Sequence, residues 1–65
     1  MAIKDGTILT ERDRGEQGTL SDDNGGEIYN FKNSVLAKVL VGEKVKFELV
    51  AVTTGGNIAI LKPSH

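Results

Sequence analysis

The sequence predicts an all-β chain closed into a small five-stranded barrel, and three observations carry that expectation. Turn signals recur at Asp5-Gly6, at DRGEQG, at DDNGG, at Val41-Gly42 and at TTGGN, and they cut the chain into short segments. One segment, EKVKFELVAV, alternates apolar and charged residues at the two-residue period of a strand with one buried face. The chain has 65 residues and no cysteine, so the expectation is a single domain over residues 1–65 whose core must hold without disulfides.

Each element follows from local chemistry. GTILTE, GTLS and EIYNF are the first three strands, and DDNGG joins the second to the third as a hairpin loop. NSVLAKVL has a different rhythm: Asn33 or Ser34 can cap, and Val35, Leu36, Val39 and Leu40 share one helical face. A short helical turn is therefore expected between strands three and four. In the fourth strand Val45, Phe47, Leu49 and Ala51 point inward, leaving Lys44, Lys46, Glu48 and Val50 outside. TTGGN turns into NIAILK, and Pro63 ends this fifth strand because it cannot donate to a ladder. This order matches the oligonucleotide- and oligosaccharide-binding (OB) barrel, whose closure removes vulnerable sheet edges. The structural rival is an SH3-like barrel, which usually lacks the helical turn.

Charge and composition narrow the function classes. Eight basic residues face nine acidic ones for a net charge of −1, which lacks the basic footprint of many duplex binders and is not acidic enough for a nucleic-acid mimic. Phosphate contacts would have to come from local clusters, Arg12 with Arg14 and Lys44 with Lys46. No catalytic constellation is visible. His65 is a lone terminal histidine, and Ser21, Ser34 and Ser64 have no histidine to serve as base. Asp22-Asp23-Asn24 lacks the spacing and terminal glutamate of a calcium loop, and GEQG lacks the Lys-Ser/Thr of a phosphate-binding loop. The expectation is no enzyme, no metal and no cofactor. MAIKDGTIL lacks the pattern of a secretory signal and VLV is far too short to span a membrane, so a soluble, cytoplasmic protein is expected.

Over most of Gly6 to Leu61 the chain resembles the bacterial cold-shock domain. GTIL corresponds to the family's opening strand, RGEQGTL to its first ribonucleoprotein motif, EIYNF to its second, and GEKVKFELV to its fourth strand. The chain also resembles the smallest bacterial translation initiation factor, which shares that family's fold and is the competing resemblance. Departures from the family are concentrated at the binding surface. Leu9 and Thr10 stand where the family has a basic residue and a tryptophan, and Glu16, Gln17 and Thr19 stand where it presents phenylalanines.

What the resemblance implies is weak binding of single-stranded RNA or DNA, RNA in particular, through the face of strands one to three. Tyr29 and Phe31 would stack bases, Asn30 would offer its amide to a base edge, and Lys32, Arg12 and Arg14 would contact phosphates. Two stacking rings supply roughly 2–6 kcal/mol, little for the class. Periodicity leaves the rings' direction open: with Tyr29 and Phe31 inward, Ile28 faces solvent, and with Ile28 inward, the rings face out. The alternative is a protein-interaction module, an OB barrel that has lost nucleic-acid binding. Alternation then exposes Leu9 beside Thr10, Thr19 and Tyr29 as an uncharged patch for a protein partner. The sequence does not specify an oligomeric state.

Overall fold

The computed structural model describes residues 3–36, 38–52 and 56–63. Five strands form a closed barrel: β1 (Lys4–Arg12), β2 (Gln17–Asp22), β3 (Ile28–Lys32), β4 (Lys44–Val52) and β5 (Gly56–Lys62), in the order β1-β2-β3-β5-β4 with β4 pairing back to β1. Neighbours are antiparallel except β3 and β5, which run parallel and pair at Phe31↔Ala59 and Lys32↔Ile60.

The core is one cluster: Ile8, Leu20, Phe31, Val39, Val45, Phe47, Ala59 and Leu61 are all buried, with Tyr29, Leu36 and Leu49 packed against them. The expected inward face of the fourth strand is thus present at Val45 and Phe47 and half-buried at Leu49, while Ala51 is exposed. Ala51 and Val52 pair with Asn57 and Gly56 in the part of the β4–β5 ladder beyond the core. Thr53, Thr54 and Gly55 of the TTGGN turn lie outside the described residues, as do Ser64 and His65, while Gly56 and Asn57 begin β5.

The first turn is built by backbone geometry. Asp13, Arg14 and Gly15 all have positive φ (56°, 62° and 87°), forming a single tight 3-10 turn between β1 and β2. Gly15 is buried there, and a Cβ on it would lie 2.8 Å from the Val39 nitrogen and 2.9 Å from Val39 Cγ2. At the start of the hairpin loop after β2, Asp22 accepts the Asn24 amide at 2.8 Å on Oδ1, with Lys4 Nζ 3.7 Å from Oδ2. The Asp22 and Gly26 amides close the loop on Glu27 and Asp22 carbonyls. DDNGG is therefore turn chemistry.

The helical turn expected in NSVLAKVL is absent among the described residues between Lys32 and Lys44. Asn33 does accept the Val35 and Leu36 amides on Oδ1, as a cap would. Its Nδ2, however, donates to Leu36 O at 3.0 Å and to Gly15 O at 3.1 Å, tying the segment to the first turn. Leu36 and Val39 then pack inward while Val35 and Leu40 point to solvent, which divides the apolar set that a helix would place on one face. Asn33→Ala removes four hydrogen bonds at a buried site and is expected to cost about 2–4 kcal/mol, at roughly 1 kcal/mol each. Chemical denaturation measures it.

Candidate nucleic-acid interface

The outer face of β1, β2 and β3 is set by register. Thr7, Ser21 and Ile28 form one row, Thr10, Thr19 and Asn30 the next, and Arg12, Gln17 and Lys32 the third. Between the first two rows the β1–β2 register shifts, and the bulge falls at Leu9. Leu9 points outward and is 39% exposed. Gly18 permits this close pairing, since a Cβ there would collide with the Thr10 carbonyl and lie 2.9 Å from Glu11 Cα.

The rings do not lie on that face. Phe31 is 1% exposed, one of the largest fully buried side chains, and has no face to offer a base while the barrel is folded. Tyr29 is half-buried, with its ring centroid 6.1 Å from that of Phe47 and tilted by 47°. The Tyr29 hydroxyl donates to Glu27 Oε2 at 2.9 Å, and that bond to a carboxylate holds its pKa above the ordinary value. The stacking assigned to Phe31 is thus corrected to a core role, and Tyr29 acts as a wall of the core. The physical reason is register: Leu20 opposite Tyr29 is buried, Phe31 two residues on shares that inward face, and alternation turns Ile28, Asn30 and Lys32 outward instead. Ile28 is 64% exposed.

The other predicted residues do share this surface. Asn30 and Lys32 are exposed on β3, Arg12 ends β1, and Arg14 projects from the first turn. A groove on the sheet is lined by Thr10, Glu11, Arg12, Gly18, Thr19 and Asn30. A second recess, lined by Glu11, Arg12, Asp13, Arg14 and Lys38, adjoins it. Beside them Arg12 Nη2 donates to Gln17 Oε1 at 3.3 Å, and Gln17 Nε2 donates to Asp13 Oδ2 at 2.9 Å. The Thr10 and Thr19 hydroxyls are 2.8 Å apart, and the Thr19 amide donates to Thr10 Oγ1 at 3.2 Å.

Ion pairing divides the cations into two groups. Lys4, Lys44, Lys46 and Lys62 pair with Asp22, Asp23, Asp5 and Glu48 respectively, at 3.7, 3.2, 2.6 and 3.4 Å. Among the described residues Arg12, Arg14, Lys32 and Lys38 have no such partner. The Lys44–Lys46 pair singled out in the sequence is therefore neutralised in place, and Lys38, which sequence reasoning passed over as part of a helical turn, joins the free group.

Asp23 illustrates the neutralised side. It accepts the Thr7 hydroxyl at 2.7 Å and Lys44 Nζ at 3.2 Å, and these bonds hold its pKa below the ordinary 3.8. A carboxylate with a depressed folded-state pKa stabilises the fold above its unfolded value and loses that contribution as pH falls through the folded one. Asp23→Asn is expected to leave the melting temperature less steeply dependent on pH below about 4, where carboxylates titrate, as measured by thermal melts across an acid series.

Among the described residues no group of three or more His, Cys, Asp or Glu is placed to hold a metal ion, and no helix is long and apolar enough to cross a membrane. In comparisons with family models, with curated proteins and with solved structures, nothing matches this chain.

Proposed function

We propose that this barrel is a divergent OB fold of cold-shock type that binds nucleic acid weakly, through phosphate contacts and without base stacking. The strand order, with β1 pairing to both β2 and β4 and a parallel β3–β5 pair, supports the OB assignment. The observation that carries the binding function is the segregation of charge. Four cations without ion pairs among the described residues, Arg12, Arg14, Lys32 and Lys38, border the β1–β2–β3 face at the end of the first turn, whereas the other four are held by carboxylates. A cation held by a carboxylate must give up that pair to meet a phosphate, and a free one need not. Glu11, Asp13 and Glu16 lie at the same end and keep the affinity low.

Four phosphate contacts give a plot of log affinity against log salt with a slope of about −3 for a single strand and nearer −4 for a duplex. Arg12→Ala is expected to reduce that slope by a little under one, while Lys44→Ala leaves it unchanged. Fluorescence anisotropy with a labelled oligonucleotide at several salt concentrations measures both. A slope near zero, or an equal loss from Lys44→Ala, contradicts the assignment.

A second reading has its own observation. Leu9 is exposed at the bulge, and the Leu40–Glu43 turn is hydrogen-bonded to β1 at the preceding residue, Ile8, by the Gly42 amide and the Glu43 carbonyl. Leu40 and Val41 in that turn are 55% and 63% exposed. These side chains suit a protein partner, whereas Thr10 and Thr19 lie on the polar groove instead. Leu9→Lys separates the readings: it adds a cation and strengthens oligonucleotide binding in the first, and it introduces a charge where desolvation is needed and weakens partner capture in the second.

A further inference from the structure

The groove beside the free cations has an unusual donor set for a phosphate site. On the outward row of the sheet it carries two hydroxyls and an amide, from Thr10, Thr19 and Asn30, with Arg12 at one end. A phosphate oxygen only accepts hydrogen bonds, whereas a hydroxyl both donates and accepts. One proton of the Thr10–Thr19 pair is consumed between the two oxygens, which leaves the other for a ligand. The Asn30 amide, exposed, has no hydrogen-bond partner among the described residues and offers both donor and acceptor. The groove therefore suits a group that both donates and accepts, next to a position that attracts phosphate.

We infer, building on the nucleic-acid reading above, that the Thr10–Thr19–Asn30 row of the groove recognises ribose 2′-hydroxyls along the shallow minor groove of A-form duplex RNA. The 2′-hydroxyl is both donor and acceptor, and it is the group by which a protein tells RNA from DNA. The row of Thr19 and Asn30 is two residues from the row of Gln17 and Lys32 along the same strands, about 7 Å at 3.4 Å per residue, a scale that lets one row meet sugars while the other meets phosphates. Paired bases need no stacking partner from the protein. With Phe31 buried and Tyr29 packed on Phe47, the face has no ring with which to hold an unpaired base, so the sugar edge of a duplex fits it better than a splayed single strand.

The test uses three labelled probes in low salt: an RNA hairpin with a continuous stem, the deoxyribose hairpin of the same sequence, and an unpaired RNA of the same length. The RNA hairpin is expected to bind about tenfold tighter than the DNA hairpin, the value of roughly one net hydrogen bond. Asn30→Ala should bring the RNA-to-DNA ratio towards one, with a melting temperature near the parent's because the side chain is exposed. Equal affinity for the two hairpins, or tighter binding of the unpaired RNA, overturns this inference and leaves phosphate binding standing. Binding of none of the three overturns the nucleic-acid reading itself.

Discussion

Phe31→Ala is expected to destabilise the barrel by about 3–5 kcal/mol, the cost of removing a fully buried phenylalanine and leaving the cavity behind. A domain of this size has little more than that in total stability, so most of the variant should be unfolded at 25 °C or melt far below the parent. Phe47→Ala should do the same, since Phe47 is wholly buried and supports Tyr29. Phe31 sits in a motif that a cold-shock comparison assigns to base stacking. An exposed stacking ring would lose binding on substitution and keep its fold. Circular dichroism melts of Phe31→Ala and Phe31→Leu decide between the two: Leu retains most of the volume and should recover much of the stability, while a melt like the parent's for Phe31→Ala would place the ring outside.

Gly18→Ala is the second large effect, on the order of 3 kcal/mol or more, because overpacking here pushes on backbone and not on a side chain that can rotate away. The added methyl would collide with the Thr10 carbonyl and press on Glu11 Cα across the β1–β2 ladder. The strands can accept it only by separating, which undoes the pairing Thr10↔Thr19 and Glu11↔Gly18 that shapes the groove. Stability and binding should therefore fall together. Gly25→Ala is the matched comparison: that glycine also has positive φ, at 127°, but a Cβ there meets nothing within 4 Å. Urea titration of both is expected to give a markedly lower midpoint for Gly18→Ala.

The strands and their turns were legible because their signals are local. The alternation through Val45 and Phe47 is strict, and DDNGG has the composition of a hairpin loop whichever strands it joins. The direction of Tyr29 and Phe31 was not legible, because Ile28, Tyr29 and Phe31 in a five-residue strand satisfy two registers equally. What selects one register is across the sheet: the Asp22 amide bonded to Glu27 O, and buried Leu20 opposite Tyr29. The helical turn failed for a similar reason. Asn33 has a cap's side chain, but Gly15, 18 residues earlier, takes one of its donors. Charge was the least legible. Lys44 and Lys46 look like a basic pair along the strand, and their carboxylate partners lie 21 and 41 residues away. The free cations Arg12, Arg14, Lys32 and Lys38 become a group only when the barrel closes.

Backbone-amide NMR of the labelled protein, titrated with the RNA hairpin in low salt, tests nucleic-acid binding through the free-cation end most directly. Shift changes are expected to concentrate at Thr10 to Arg14, Thr19, Asn30, Lys32 and Lys38, to shrink as salt is raised, and to leave Lys44 and Lys46 on their ion-paired strand at their free positions. An unchanged spectrum at saturating RNA, or changes centred on Lys44 and Lys46, would contradict it.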